Sequence, residues 1–229
     1  QTSKTMTHDG QSRKYIEYIP STYNANTAIP VVFSLHGLGD NMNNFCQVGF
    51  HQLADTANFI VITPEALLDN FLGGNAWNCG ASMMGISANP SVDDIGFISA
   101  ILDQLIIDHN IDETRVYCCG FSLGGFMTNR IACELNDRFT AIASVAGTIG
   151  TGLNCTPGKA VPVCHFHGTA DATIGYTGNA YGMDAEDMVD FWVSNNSCNS
   201  GSDSTQLPDL ATDGYSVTHY EYSSCDNNK

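Results

Sequence analysis

The chain has 229 residues, 43% of them hydrophobic, and its 24 acidic against 8 basic side chains give a formal charge of -16. That is enough apolar material for one large core, and a single domain over residues 1–229 is expected. The negative excess argues against a nucleic-acid backbone or an anionic membrane as partner, no segment reaches the roughly 20 apolar residues of a membrane span, and Gln1 begins without the apolar stretch of a signal peptide, so a soluble, already processed chain is expected.

Arg13 to Ile19 alternates as a half-exposed strand and is ended by Pro20, and the more continuously apolar run Ile29 to Leu35 predicts a central strand. A helix over Phe50 to Ala57 leads into another buried strand, Phe59 to Thr63, stopped by Pro64. The stretch from Leu67 to Pro90, rich in Gly, Asn and Ser and holding Trp77, is too long for a bare connection and points to a working loop. Ile95, Ile98, Leu102, Leu105 and Ile106 form a helical stripe within 92–109, with Ser91 as expected N-cap and Asp93 and Asp94 in the first turn. Next come a strand at Arg115 to Cys119, a helix at Phe126 to Leu135, strands at Ala141 to Ala146 and Val161 to Phe166, a helix at Asp184 to Val193 and a late alternating strand at Val217 to Tyr222. Strands separated by helices predict an α/β fold, with a mostly parallel central sheet, helices on both faces and active loops at the strands' carboxyl ends.

Nine cysteines, without zinc-type spacing, favour an oxidising compartment and secretion. Cys198 and Cys225 lie in the polar C-terminal part, where a cross-link stabilises most, and are the first expected pair. Cys118, Cys119, Cys133 and Cys164 fall on predicted strands or helices and are read as buried thiols. The odd total leaves at least one cysteine unpaired in a monomer, the expected state.

Between the strand at 115–119 and the following helix, Gly120-Phe121-Ser122-Leu123-Gly124 matches G-x-S-x-G, which places a serine on a tight strand-to-helix turn with its Oγ exposed. A serine nucleophile needs a base, a carboxylate that orients the base, and two donors for the oxyanion. The Leu123 N–H is the expected first donor, and the loop His36-Gly37-Leu38-Gly39-Asp40 offers the Leu38 N–H as the second. Asp171, just past the strand ending at Phe166, has the right chain order for the acid, although an Asp in such a loop also suits a turn cap. His165 and His167 are read as structural, and no metal or cofactor is expected. His219 is the one histidine after Asp171, and it lies inside an alternating strand run where a base is poorly placed.

The segments DGQSRKYIEYIPSTY, LHGLGD, ADTANFIVITPEA, AWNCG, VDDIGFISAILDQL, RVYCCGFSLGGFM and VPVCHFHGTADATIGY together make the chain resemble the secreted esterases of the polyhydroxybutyrate depolymerase family, which includes feruloyl and acetylxylan esterases. The resemblance implies an α/β-hydrolase fold, with Ser122 as nucleophile, Asp171 as acid, Leu38 and Leu123 as oxyanion donors and Trp77 near the acyl site. It implies a small or polymeric ester as substrate: a plant-polysaccharide ester first, a polyhydroxyalkanoate or aromatic polyester as alternative, with a non-catalytic ester- or glycan-binding scaffold as the rival class. Family members continue past the cysteine matched by Cys225 into a further strand and a loop carrying the catalytic histidine, so the base is expected beyond Lys229.

Overall fold

The computed structural model describes residues 1–83 and 86–226. Three antiparallel and parallel pairings build its first half: β1 (Thr2–His8) pairs antiparallel with β2 (Gln11–Tyr18), β2 pairs antiparallel with β4 (Ile60–Pro64), and β4 runs parallel to β3 (Ile29–Leu35). Between β3 and β4 lie the short helix α1 (Met42–Phe45) and α2 (Phe50–Ala57). The segment after β4 carries two small hairpins, β5 (Leu68–Asp69) with β6 (Gly74–Asn75) and β7 (Ser82–Met83) with β8 (Ile86–Ser87). Then α3 (Asp94–Asp108) leads to β9 (Ile111–Phe121), α4 (Leu123–Glu134), β10 (Ala141–Val145), β11 (Val163–Phe166) and α5 (Ala185–Asn195). A separate antiparallel ribbon, β12 (Ser202–Gln206) with β13 (Thr218–Tyr222), follows.

The main sheet has the order β1-β2-β4-β3-β9-β10-β11, parallel from β4 to β11. Helices lie on both faces. Cys118 Sγ is 3.7 Å from Thr128 Oγ1 of α4, so Cys118 faces that helix. Alternation then turns Cys119 to the other face, where it shares an apolar groove with Val32, Tyr117, Ala143 and Phe50 of α2. That second face is bare at its β11 end: Phe121, Val145 and Phe166, in register across β9, β10 and β11, are 50%, 38% and 55% exposed. The opposite layer is the core, with Phe33, Leu35, Phe97, Ile98, Ile101, Phe126 and Met127 all essentially inaccessible. Among the described residues no helix is long and apolar enough to cross a membrane.

Most predicted elements occur within a few residues of their expected bounds; β1, α1, the two hairpins β5–β6 and β7–β8, and β12 are additions, each short or too polar to give a clear apolar period. One expectation at the start of α3 is corrected. Its N-cap is Asp93, whose Oδ1 accepts the Gly96 N–H at 2.9 Å, rather than Ser91. Asp94 lies in the first turn as expected, and it is wholly buried there, 2.6 Å from Arg13 Nη2 of β2, with its other oxygen accepting the Asn78 N–H at 2.7 Å. The Arg13 guanidinium also lies 3.9 Å over the Phe97 ring. This charge pair ties β2, α3 and the 76–79 loop together, and the sequence separation of 81 residues hid it.

The expected disulfide Cys198–Cys225 is present. A second one, Cys133–Cys155, corrects the reading of Cys133 as a thiol, because the end of α4 meets the loop before β11. Cys118 is a buried free thiol, whereas Cys164 is exposed because it shares with Phe166 the bare end of the second face.

Candidate active site

Ser122 sits between the carboxyl end of β9 and the first turn of α4, with φ 53° and ψ -120°. A positive φ is a costly backbone state for a residue with a Cβ, and it persists here because the surroundings over-determine it. The Ser122 N–H donates to the Val145 carbonyl at 2.8 Å and its carbonyl accepts from the Phe126 N–H at 3.1 Å, so sheet and helix hold the serine from both sides. Gly120 is required because a Cβ there would strike the Gly124 carbonyl and come within 2.7 Å of Thr128 Oγ1.

The loop after β3 faces this turn. A Cβ on Gly37 would lie 3.4 Å from the Ser122 Cβ, so the Gly37–Leu38 peptide is packed beside the serine. Among the described residues neither the Leu38 nor the Leu123 N–H has a hydrogen-bond acceptor, and both residues line one cleft with Ser122, Ala81, Phe126, Ile174 and Tyr181. The loop is clamped from outside, because the Gly39 N–H donates to the Asn75 carbonyl at 2.9 Å and Asn75 Nδ2 donates to the Asp40 carbonyl at 3.0 Å. The long 67–90 segment therefore has a job: its hairpin braces the loop beside the serine.

His36 is buried and bonded at both ring nitrogens. Nδ1 is 2.7 Å from the Gly37 carbonyl and Nε2 is 3.1 Å from the Ala66 nitrogen. A carbonyl can only accept and an amide N–H can only donate, so the ring is neutral with its proton on Nδ1. Burial agrees with that state, since it pushes the imidazole below its ordinary pKa more strongly than the Gly37 bond and the carboxylates of Asp40, Glu65 and Asp94 pull it up.

Trp77 is placed differently from expectation. It has no exposed surface, its Nε1–H donates to the His36 carbonyl at 2.9 Å, and its ring lies 5.1 Å from the imidazole. Instead of lining the cleft with an aromatic face, it supports the loop from below. An indole N–H must find a buried acceptor, and the strand end supplies one.

Asp171 lies in the loop after β11, half-buried. Its Oδ1 accepts the Thr173 and Ile174 N–H groups at 2.8 and 2.9 Å, while Oδ2 stands 3.9 Å from His167 Nε2. It does cap a turn, and the cap occupies one oxygen only. Cleft residues Thr173 and Ile174 belong to the turn it holds. His165 and His167 form a relay, with Nε2 of His165 3.1 Å from Nδ1 of His167 and Nε2 of His167 2.7 Å from the Ile174 carbonyl. That carbonyl makes His167 Nε2 the donor, so both histidines serve the loop carrying Asp171. His219 is exposed on β13, opposite Thr205 of β12.

A parallel sheet with a strained serine at the turn from β9 to α4 defines an α/β-hydrolase-type fold. The phospholipase/carboxylesterase family matches residues 20–186, and the chain belongs to that family. It is 32% identical over 169 residues to a bifunctional acetylxylan esterase/xylanase of Neocallimastix patriciarum, covering 73% of this chain and 22% of that protein. It is 27% identical over 219 residues to a probable feruloyl esterase C of Aspergillus niger, covering 93% of this chain and 72% of the relative. A feruloyl esterase B of Piromyces equi is 30% identical over 175 residues, 72% of this chain and 30% of the relative. The chain thus spans between about a fifth and three quarters of the length of these relatives. Among solved structures, a thermostable esterase superposes with a TM-score of 0.60 at 19% identity over 85% of this chain and 50% of that one, a likeness of fold.

Proposed function

We propose that the chain is the catalytic domain of a secreted serine carboxylic ester hydrolase acting on feruloyl or acetyl esters of plant polysaccharides. The Ser122 Oγ attacks the ester carbonyl and the Leu38 and Leu123 N–H groups receive the oxyanion. Collapse of the tetrahedral adduct expels the alcohol and leaves an acyl group on Ser122, which water then removes as the acid. A histidine takes and returns the proton in both halves, and Asp171 orients it through the oxygen its turn leaves free. His219, exposed on a two-stranded ribbon, has no part in this reading. Trp77 contributes by fixing the oxyanion loop rather than by touching the acyl group.

The observation that carries this reading is Ser122 held at φ 53° beside two backbone N–H groups that have no acceptor among the described residues. The names of the fungal relatives, acetylxylan esterase and feruloyl esterase, support the substrate class. Two disulfides support an oxidising destination.

Hydrolysis of p-nitrophenyl acetate and methyl ferulate tests the proposal. Turnover should vanish in Ser122→Ala, fall at least about a thousandfold in Asp171→Asn, and survive His219→Ala. No turnover, together with no fluorophosphonate labelling of Ser122, would leave residues 1–229 an incomplete or a binding-only form.

A further inference from the structure

His36 lies one residue before the proposed oxyanion loop and is buried out of reach of substrate, yet its bonds are aimed at one particular peptide group. The carbonyl it holds, that of Gly37, and the Leu38 N–H proposed above as oxyanion donor belong to the same peptide unit. That unit is planar and trans, so its C=O and N–H point in opposite directions. Fixing the carbonyl on one side therefore aims the N–H to the other, and Leu38 lines the same cleft as Ser122. If the same peptide rotated by half a turn, a carbonyl oxygen would face the developing oxyanion and the donor would be lost. The competing bond that could resist such a rotation is weak, since the Asp40 N–H reaches the Gly37 carbonyl at 3.3 Å against 2.7 Å for His36 Nδ1.

We propose that His36 is a positioning residue: its neutral, Nδ1-protonated ring is a strut between the Gly37 carbonyl and the Ala66 N–H that locks the Leu38 N–H toward the ester oxyanion. The strut is anchored on β4's exit by the Ala66 bond, and Trp77 grips the same residue from behind through the His36 carbonyl. Each anchor lies in a different chain segment, so the loop is held by tertiary contacts and not by its own turn. This inference rests on the esterase reading.

Two substitutions separate the two ends of the ring. An Asn side chain places its amide nitrogen near the position of Nδ1 and keeps a donor for the Gly37 carbonyl; a Gln side chain reaches the Nε2 position and keeps an acceptor for the Ala66 N–H. Both lose the same ring packing on Trp77. His36→Gln should lose about tenfold or more in kcat at nearly unchanged KM, in line with the ~100-fold or larger cost of deleting an oxyanion donor outright, and His36→Asn should regain most of it. Equal kcat losses in the two variants, tracking their melting temperatures, would overturn the proposal. The wild-type protein gives an independent readout should either variant fold poorly. Long-range proton–nitrogen NMR should find the neutral His36 ring with its proton on Nδ1 at pH 7 to 8, and a neutral ring with its proton on Nε2 would refute the strut. Failure of the esterase reading looks different, because it removes wild-type turnover and Ser122 labelling and leaves the tautomer as stated.

Discussion

Replacing Gly124 with Ala tests how tightly α4 is pressed against β3, the contact that seats Ser122. A Cβ added there would lie 2.6 Å from the His36 carbonyl oxygen and closer still to that of Leu35. Carbon and oxygen ordinarily approach to about 3.3 Å, so helix and strand must part by at least about 0.7 Å. Both obstructing atoms are backbone, and no rotamer change relieves them. Overpacking of this kind costs about 1–3 kcal/mol, and in a chain of this length each kcal/mol lowers Tm by about 2–4 °C, which gives a fall centred near 6 °C. Thermal unfolding followed by circular dichroism measures it, with Gly201→Ala as control because a Cβ there meets nothing within 4 Å. The same parting draws the Leu123 N–H away from its proposed place at the oxyanion, so on the esterase proposal kcat for p-nitrophenyl acetate should fall by about tenfold or more. If Gly124→Ala melts and turns over like Gly201→Ala, the account of a helix seated on strand carbonyls is wrong.

Asp94→Ala strands the buried Arg13 guanidinium and should cost about 3–5 kcal/mol in urea unfolding. Asp103→Ala, which removes an exposed partner of Arg138, should cost less than about 1 kcal/mol, and similar losses in the two would deny the buried pair its role. Burial, helped by the neighbouring His167, pushes the His165 imidazole down to about 4. The unfolded ring takes up a proton near pH 6.5 while the folded ring stays neutral, so stability should fall as pH drops from about 6.5 to 4, by up to about 3 kcal/mol. His165→Gln should flatten that part of the Tm–pH profile, and parallel profiles would count against it. Reduction of Cys133–Cys155, which closes a 22-residue separation, or the double substitution to Ala, should remove about 3 kcal/mol; an unchanged melting temperature would contradict that.

Much of this protein was readable where chemistry is local. The apolar run of Ile29 to Leu35, the apolar stripe of α3 and the alternation of β13 each follow from residues within one element, and the five residues around Ser122, with the strand and helix that flank them, signal a strand-to-helix turn. Chain order makes Asp171 the candidate acid, but that it caps a turn with one oxygen and leaves the other free is a matter of torsion angles. Ser91 looked a good N-cap because serine usually is; Asp93 holds the position because its neighbour Asp94 is drawn inward by Arg13.

Sequence alone thus determined most of the strands and helices, their order, and which serine sits at the strand-to-helix turn, because hydrophobic period and turn chemistry act over a few residues. Tertiary structure decided what each residue near the serine does. Trp77 passes from an expected aromatic surface to a buried support, Cys133 finds Cys155, and His36 becomes a two-ended strut. In each case the deciding partner is distant in the chain or on another element, and burial, which forces every polar atom to find a partner, exists only once the sheet and its loops have closed together.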